Sequence, residues 1–327
     1  MTVLVTGAAG QDGVLLARKL IARGEKVVGA CLLNATEYLN RAVPGIDIYP
    51  IDLSEFSSVD LMLDQIKPEN IYNLAGFSSV RKSWEEPHIM TRINSELPAQ
   101  ILSWCARKSR GTRFLQASSS EIFGGTEIVP QNEITPMLPI TPYGLSKAFA
   151  HSLTQEFRQQ YGLHASTAIL YNHESPLRSP EFVTRQIIQG IAHILLGQQN
   201  RLTIGNTSSQ RDWGWAPDYV HGMTLALEHP NPDDYVFSTG QLRRVDDLIR
   251  VAFESVDISN YLEYLEENEA LFRRVDPIRL VGDSSKAHKV LKWNHTVDFE
   301  SMVNIMMKNE IRILQRPDAD IWVEEKR

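Results

Sequence analysis

Across the first half of the chain, short apolar runs alternate with longer stretches in which apolar residues recur at helical spacing. Residues 3–6, 26–30, 47–51, 71–74, 113–117 and 166–170 read as strands. Near-continuous apolar runs of that length, bounded by turn residues, suit strands covered on both faces. Residues 12–22, 57–66 and 97–107 read as the helices between them. The alternation predicts an α/β fold: a doubly wound, Rossmann-like parallel sheet. After Leu170 the rhythm breaks, and residues 171–180 are rich in Asn, His, Ser and Pro. Helical spacing returns at 183–196, 217–227, 245–256 and 299–314, with one more strand at 235–238. The expected division is a dinucleotide-binding part, residues 1–171, to which about 213–240 returns, and a smaller α/β, mainly substrate-binding region, residues 172–327.

Composition narrows the function. The 327 residues carry 33 Lys plus Arg against 40 Asp plus Glu, a net charge of -7. That balance offers no broad cationic field, so neither nucleic acid nor an anionic membrane is an expected partner. Two cysteines, Cys31 and Cys105, make no disulfide framework, and the nine His show no metal spacing. No basic leader precedes the first strand and no apolar run is long enough to span a bilayer, so the expected setting is cytoplasmic.

Two local patterns carry chemistry. Gly7, Gly10 and Gly13 are spaced GxxGxxG between the first strand and the first helix. Glycines there let backbone N–H groups approach a pyrophosphate at the positive helix end, which predicts a dinucleotide. Gln11 and Asp12 lie inside that turn, and Asp52, Leu53, Leu74 and Ala75 end later strands that should border adenine and ribose. The second pattern is Tyr143 and Lys147, four residues apart and therefore on one helix face. An ammonium about 4 Å from the phenol could lower its pKa by up to roughly 3 units, enough for a general base. Ser119 and Glu121, at the end of the fifth strand, should open at the same crevice.

Together these residues resemble the extended short-chain dehydrogenase/reductase superfamily. Residues 6–13, 116–124, 171–176, 182–185, 211–214 and 282–283 are similar, more narrowly, to GDP-mannose 4,6-dehydratases. The resemblance implies NADP, with NAD possible, as the cofactor, a nucleotide sugar, GDP-linked, as substrate, and a homodimer or homotetramer. It implies a redox-neutral cycle: oxidation at C4 of the hexose, loss of water across C5 and C6, and return of the hydride to C6. Tyr143 would be the base at the C4 hydroxyl, Lys147 would lower its pKa and hold the nicotinamide ribose, and Ser119 would orient the substrate oxygen. Glu121 would be the C5 base, a group that reductases and epimerases of the superfamily do not need. Ser78 and Asn172 match positions near the sugar, while Val183, Arg185, Asn206, Arg211, Arg273 and Asp276 match the nucleotide end. His173, with no partner pattern, reads as structural.

Departures from the family pattern fall on binding positions. Leu32 and Leu33 stand where an Arg pair is usual after the second strand, leaving Arg41 as the nearest cation. Gln186 replaces a Lys, and Arg273-Arg274-Val275-Asp276 replaces Arg-Pro-x-Glu. Residues 274–286 resemble the related GDP-4-keto-6-deoxymannose reductases, so a GDP-sugar 4-reductase or epimerase is the alternative enzyme, and a non-catalytic nucleotide-sugar sensor the alternative outside catalysis.

Overall fold

The computed structural model describes residues 1–268, 270, 279–316 and 322. Alternation begins with β1 (Thr2–Thr6), α1 (Gln11–Ala22), β2 (Lys26–Cys31), α2 (Thr36–Ala42), β3 (Asp47–Pro50), α3 (Phe56–Ile66) and β4 (Asn70–Asn73). It continues through α4 (Pro87–Thr91), α5 (Leu97–Lys108), β5 (Arg113–Ser119), α6 (Pro142–Tyr161) and β6 (Ala165–Leu170). Then come β7 (Asn172–Glu174), α7 (Val183–Leu195), β8 (Leu202–Ile204), β9 (Gln210–Trp215), α8 (Ala216–Glu228) and β10 (Asp234–Phe237). The last described elements are β11 (Leu242–Arg244), α9 (Val245–Glu254), β12 (Leu265–Glu267) and α10 (Phe299–Gln315).

The main sheet has seven parallel strands in the order β10-β6-β5-β4-β1-β2-β3. Its order reverses beside β1, which opens a crevice at the carboxyl ends of the strands. β1 shows why the strand signal was apolar rather than alternating. Leu4 packs into the core under α3, α5 and α6, whereas Val3 and Val5 pack under α1 and α8, so both faces are covered. A separate core joins α7, α9 and α10 to Trp213 and Trp215 of β9. Three short strands, β11-β9-β7, and the pair β12-β8 complete the pairing.

Differences from the sequence reading have local causes. β5 runs on to Ser119, past the apolar pattern, because β6 accompanies it as far as the pairing of Ser119 with Leu170. α2 escaped the reading because only Leu39 and Ala42 of its seven residues are buried, too few to set a period. β7, β8, β9, β11 and β12 were likewise unread, being three to six residues long with polar residues among them.

Register lines up three buried polar side chains across the sheet. Thr6 pairs with Asn73 and Asn73 with Gln116. The Thr6 hydroxyl donates to Asn73 Oδ1 at 2.7 Å and accepts from the N–H groups of Leu74 and Ala75 at 3.1 Å. Asn73 donates to Gln116 Oε1 at 2.8 Å, and Gln116 donates to the Ala117 carbonyl at 2.9 Å. That carbonyl also accepts from Lys147 Nζ at 3.0 Å. Thr6→Val, nearly isosteric, strips this row of its first member and leaves buried donors and acceptors unmatched. The expected cost is about 1–3 kcal/mol, read as a lower urea midpoint at unchanged slope; an unchanged midpoint would contradict the row's contribution.

Candidate active site

A cavity of about 1130 Å³ opens over the carboxyl ends of β1, β4, β5 and β6 and extends to β7, α7 and β9. On one side lies the glycine turn. Gly7 adopts φ +66°, and a Cβ there would meet the Ala75 backbone at 2.8 Å. The turn can therefore pack against the end of β4 only with glycine at this position. Gly10 caps α1 without a side chain, so the positive end of the helix faces the cavity, and Gly7, Gly10, Gln11, Asp12 and Gly13 line it.

Opposite, α6 brings Tyr143 and Lys147 to the cavity. Thr141 accepts from the Gly144 N–H at 2.9 Å and Pro142 occupies the first turn, which fixes the helix start. Gly144 is needed for a close approach: a Cβ would lie 2.6 Å from the Glu121 carbonyl oxygen. The helix thus abuts the turn after β5, where the Ser119 hydroxyl accepts from the Glu121 N–H at 3.2 Å. Ser119, Glu121, Tyr143 and Lys147 are all buried yet all line the cavity.

Electrostatics correct one expectation. The anticipated phenolate is not favoured here: burial pushes Tyr143 up to about 12, outweighing a hydrogen bond from Ser119, and the Glu121 charge adds to the rise. Lys147 Nζ lies 5.9 Å from the ring centroid, and burial pulls it down to about 8. Desolvation wins over the helix-face pairing that the spacing suggested.

Other expected positions divide. Leu74, Ser78, Asn172, Val183, Asn206 and Arg211 line the cavity. Arg185 does not; it is buried against α10 in an ion pair with Glu310, and Val183, Thr184 and Gln186 line the wall around it. Arg41, Asp52, Leu53 and Ala75 are also absent from the lining. Asp52 instead holds Ser54 through its backbone N–H and hydroxyl. Arg273 and Asp276 lie outside the described residues.

The sequence reading missed Arg178, Lys82 and Glu181. Arg178 lies 3.6 Å above the Phe182 ring and 3.2 Å from Glu174, a pairing at i,i+4 that its spacing could have suggested. Lys82 and Glu181 join across the rim at 2.5 Å, a contact between segments far apart in sequence and without a local signal. His173, read as structural, lines the cavity and contacts Asp12. Among the described residues no His, Cys, Asp and Glu cluster could hold a metal, and no helix is long and apolar enough to cross a membrane.

The sequence description of GDP-mannose 4,6-dehydratases matches residues 4–306 of this chain. The chain belongs to the GDP-mannose 4,6-dehydratase family. Its similarity to GDP-mannose 4,6 dehydratase 2 of Arabidopsis thaliana is 36% identity over 329 residues, covering 96% of this chain and 87% of that protein. In fold, it resembles a UDP-glucose 4-epimerase of Thermotoga maritima solved with UDP-glucose, at a TM-score of 0.85, with 24% identity over 96% of this chain and all of the other. It also resembles dTDP-glucose 4,6-dehydratase of Bacillus anthracis, solved with NAD, at a TM-score of 0.82 and 17% identity, with coverage of 97% and 98%. In this member of the GDP-mannose 4,6-dehydratase family, β2 ends on the uncharged Leu32 and Leu33, 53% and 75% exposed.

Proposed function

We propose that the protein is a nucleotide-sugar 4,6-dehydratase that converts GDP-mannose to GDP-4-keto-6-deoxymannose with a nicotinamide dinucleotide in the cavity. The observation that carries this reading is Glu121, two residues beyond Ser119 and buried in the same cavity wall as Tyr143 and Lys147. The uncapped α1 terminus and the glycine turn fit the diphosphate of such a cofactor. A nicotinamide held there would supply the acceptor and donor of the hydride that leaves C4 and ends at C6.

The chain's own residues handle protons and position. Ser119, hydrogen-bonded to Tyr143, orients the C4 hydroxyl, and Tyr143 takes its proton. Since burial keeps the free phenol protonated, ionisation belongs to the loaded site, where Arg178, whose charge already lowers the phenol, and Lys147, fixed by the Ala117 carbonyl, are the cations at hand. Once C4 is a ketone, the C5 proton is acidic; Glu121 removes it as the C6 hydroxyl leaves and returns a proton to C5 afterwards, while the proton that Tyr143 took from the C4 hydroxyl completes the departing water. GDP-mannose deuterated at C4 should give product carrying the label at C6; label lost to water would contradict the cycle. A 4-reductase or an epimerase does no chemistry at C6, and a non-catalytic sensor makes no product.

NADP is the proposed cofactor, with a weak preference over NAD. No carboxylate at the end of β2 repels a 2′-phosphate, yet no Arg there binds it, and Arg41 stands exposed on α2 away from the cavity lining. Calorimetry on stripped protein should give a preference below about 100-fold that depends on Arg41. A stronger preference surviving Arg41→Ala would contradict it.

Self-association is proposed through α6. Leu145 and Phe149 are 58% and 51% exposed on it, whereas Leu102 of the neighbouring α5 is in the core. Light scattering should report at least twice 37.0 kDa at micromolar concentration; a monomer would contradict the proposal.

A further inference from the structure

His173 occupies an unusual position between two acceptors. Its Nδ1 lies 2.7 Å from the Tyr171 carbonyl oxygen, which can only accept, so Nδ1 carries a hydrogen. Its Nε2 lies 2.9 Å from Asp12 Oδ2. A ring protonated at Nδ1 alone would aim a lone pair at a carboxylate, so a proton must lie between the two groups. Imidazole is the stronger base of the pair, which places that proton on His173.

The surroundings tie this pair to the glycine turn. Gln11 Nε2 donates to the His173 carbonyl at 3.1 Å and to Asp12 Oδ1 at 3.2 Å, and Ser175 donates to Gln11 Oε1 at 2.8 Å. Tyr219 of α8 stacks on the imidazole with ring centroids 4.9 Å apart; Arg178 acts on both partners, and the buried Lys147 interacts with Asp12. Asp12 sits in the first turn of α1 and lines the cavity. An uncompensated carboxylate there would oppose any diphosphate at the helix end, because like charges in a partly dry site are weakly screened.

We propose that His173, as an imidazolium paired with Asp12, cancels the carboxylate of the phosphate-binding turn and so allows that turn to accept the diphosphate of the dinucleotide. The inference rests on the dinucleotide reading given under Proposed function. It assigns His173 a positioning and charge-compensating role, distinct from contact with the reacting atoms. Titration agrees in direction. Burial pushes His173 down, but Asp12 more than reverses it, leaving His173 above its ordinary value. Burial pushes Asp12 up, and His173, Arg178 and Gln11 together bring it below its own. With His173 raised, its contribution is complete below the ordinary histidine value and is lost as pH rises through the folded one. With Asp12 lowered, its contribution is complete above the ordinary carboxyl value and is lost as pH falls through the folded one. The ion pair spans the interval between the two folded values.

A two-residue cycle tests the role by titrating NADP into stripped protein. His173→Gln should weaken binding about tenfold, and adding Asp12→Asn to that variant should recover most of the loss, because the charge needing compensation is gone. The weakening of wild-type binding as His173 deprotonates should vanish in His173→Gln, while any limb from Lys147 persists. If Asp12→Asn restores nothing, or if His173→Gln binds as tightly as the unaltered protein, the role is overturned. Nitrogen-15 NMR of the unaltered, cofactor-free protein gives an independent reading should the variants fold poorly. Both His173 ring nitrogens should carry hydrogen at pH 7; a singly protonated ring would overturn the proposal. Failure of the underlying reading looks different, since there the unaltered protein itself takes up neither NADP nor NAD.

Discussion

Glu121→Gln should retain nucleotide-sugar binding while slowing dehydration by about 10²- to 10⁴-fold, the usual worth of a positioned general base. Glutamine keeps the shape of the side chain, and the turn holding it is set by the Ser119 acceptor and the Gly144 approach, neither of which involves the carboxylate. The loss should therefore fall on kcat with KM nearly unchanged. Oxidation at C4 should survive, so the variant bound to GDP-mannose is expected to show reduced nicotinamide absorbance that does not decay at the normal rate. Turnover equal to that of the unaltered enzyme would remove Glu121 from the mechanism.

Tyr143→Phe should fail one step earlier. Without the phenol no group takes the C4 proton, so neither reduced nicotinamide nor the ketone forms, and turnover should drop by about 10²- to 10⁴-fold. Hydrogen exchange at C5 should stop as well, because that proton is acidic only next to a C4 ketone. Continued C5 exchange with deuterated solvent in Tyr143→Phe would mean that the order of steps is different. The two variants are thus separable by one spectrum: reduced cofactor accumulates in the first and is absent in the second.

How much of this was legible before the structure depended on whether a feature was local. The GxxGxxG turn, the four-residue spacing of Tyr143 and Lys147, and the strand end at Thr6 all follow from neighbouring residues. Residues 11–13, 119, 121, 143 and 147 line one cavity. Charge balance was not local. The four-residue spacing of Tyr143 and Lys147 suggested a lowered phenol, but desolvation by surrounding chain, which no spacing encodes, pushes it upward. Arg185 carries the same lesson: its position next to the substrate-facing residues was readable, whereas its partner Glu310, more than a hundred residues later, was not. His173 looked structural because its partner Asp12 lies 161 residues away in the chain.

Mass spectrometry of products from a panel of nucleotide sugars tests the central claim most directly. With catalytic amounts of NADP, GDP-mannose should be converted to a product lighter by one water, with no net change in the dinucleotide. A product of unchanged mass, one reduced at the expense of stoichiometric NADPH, or no conversion of any sugar tested would contradict a 4,6-dehydratase.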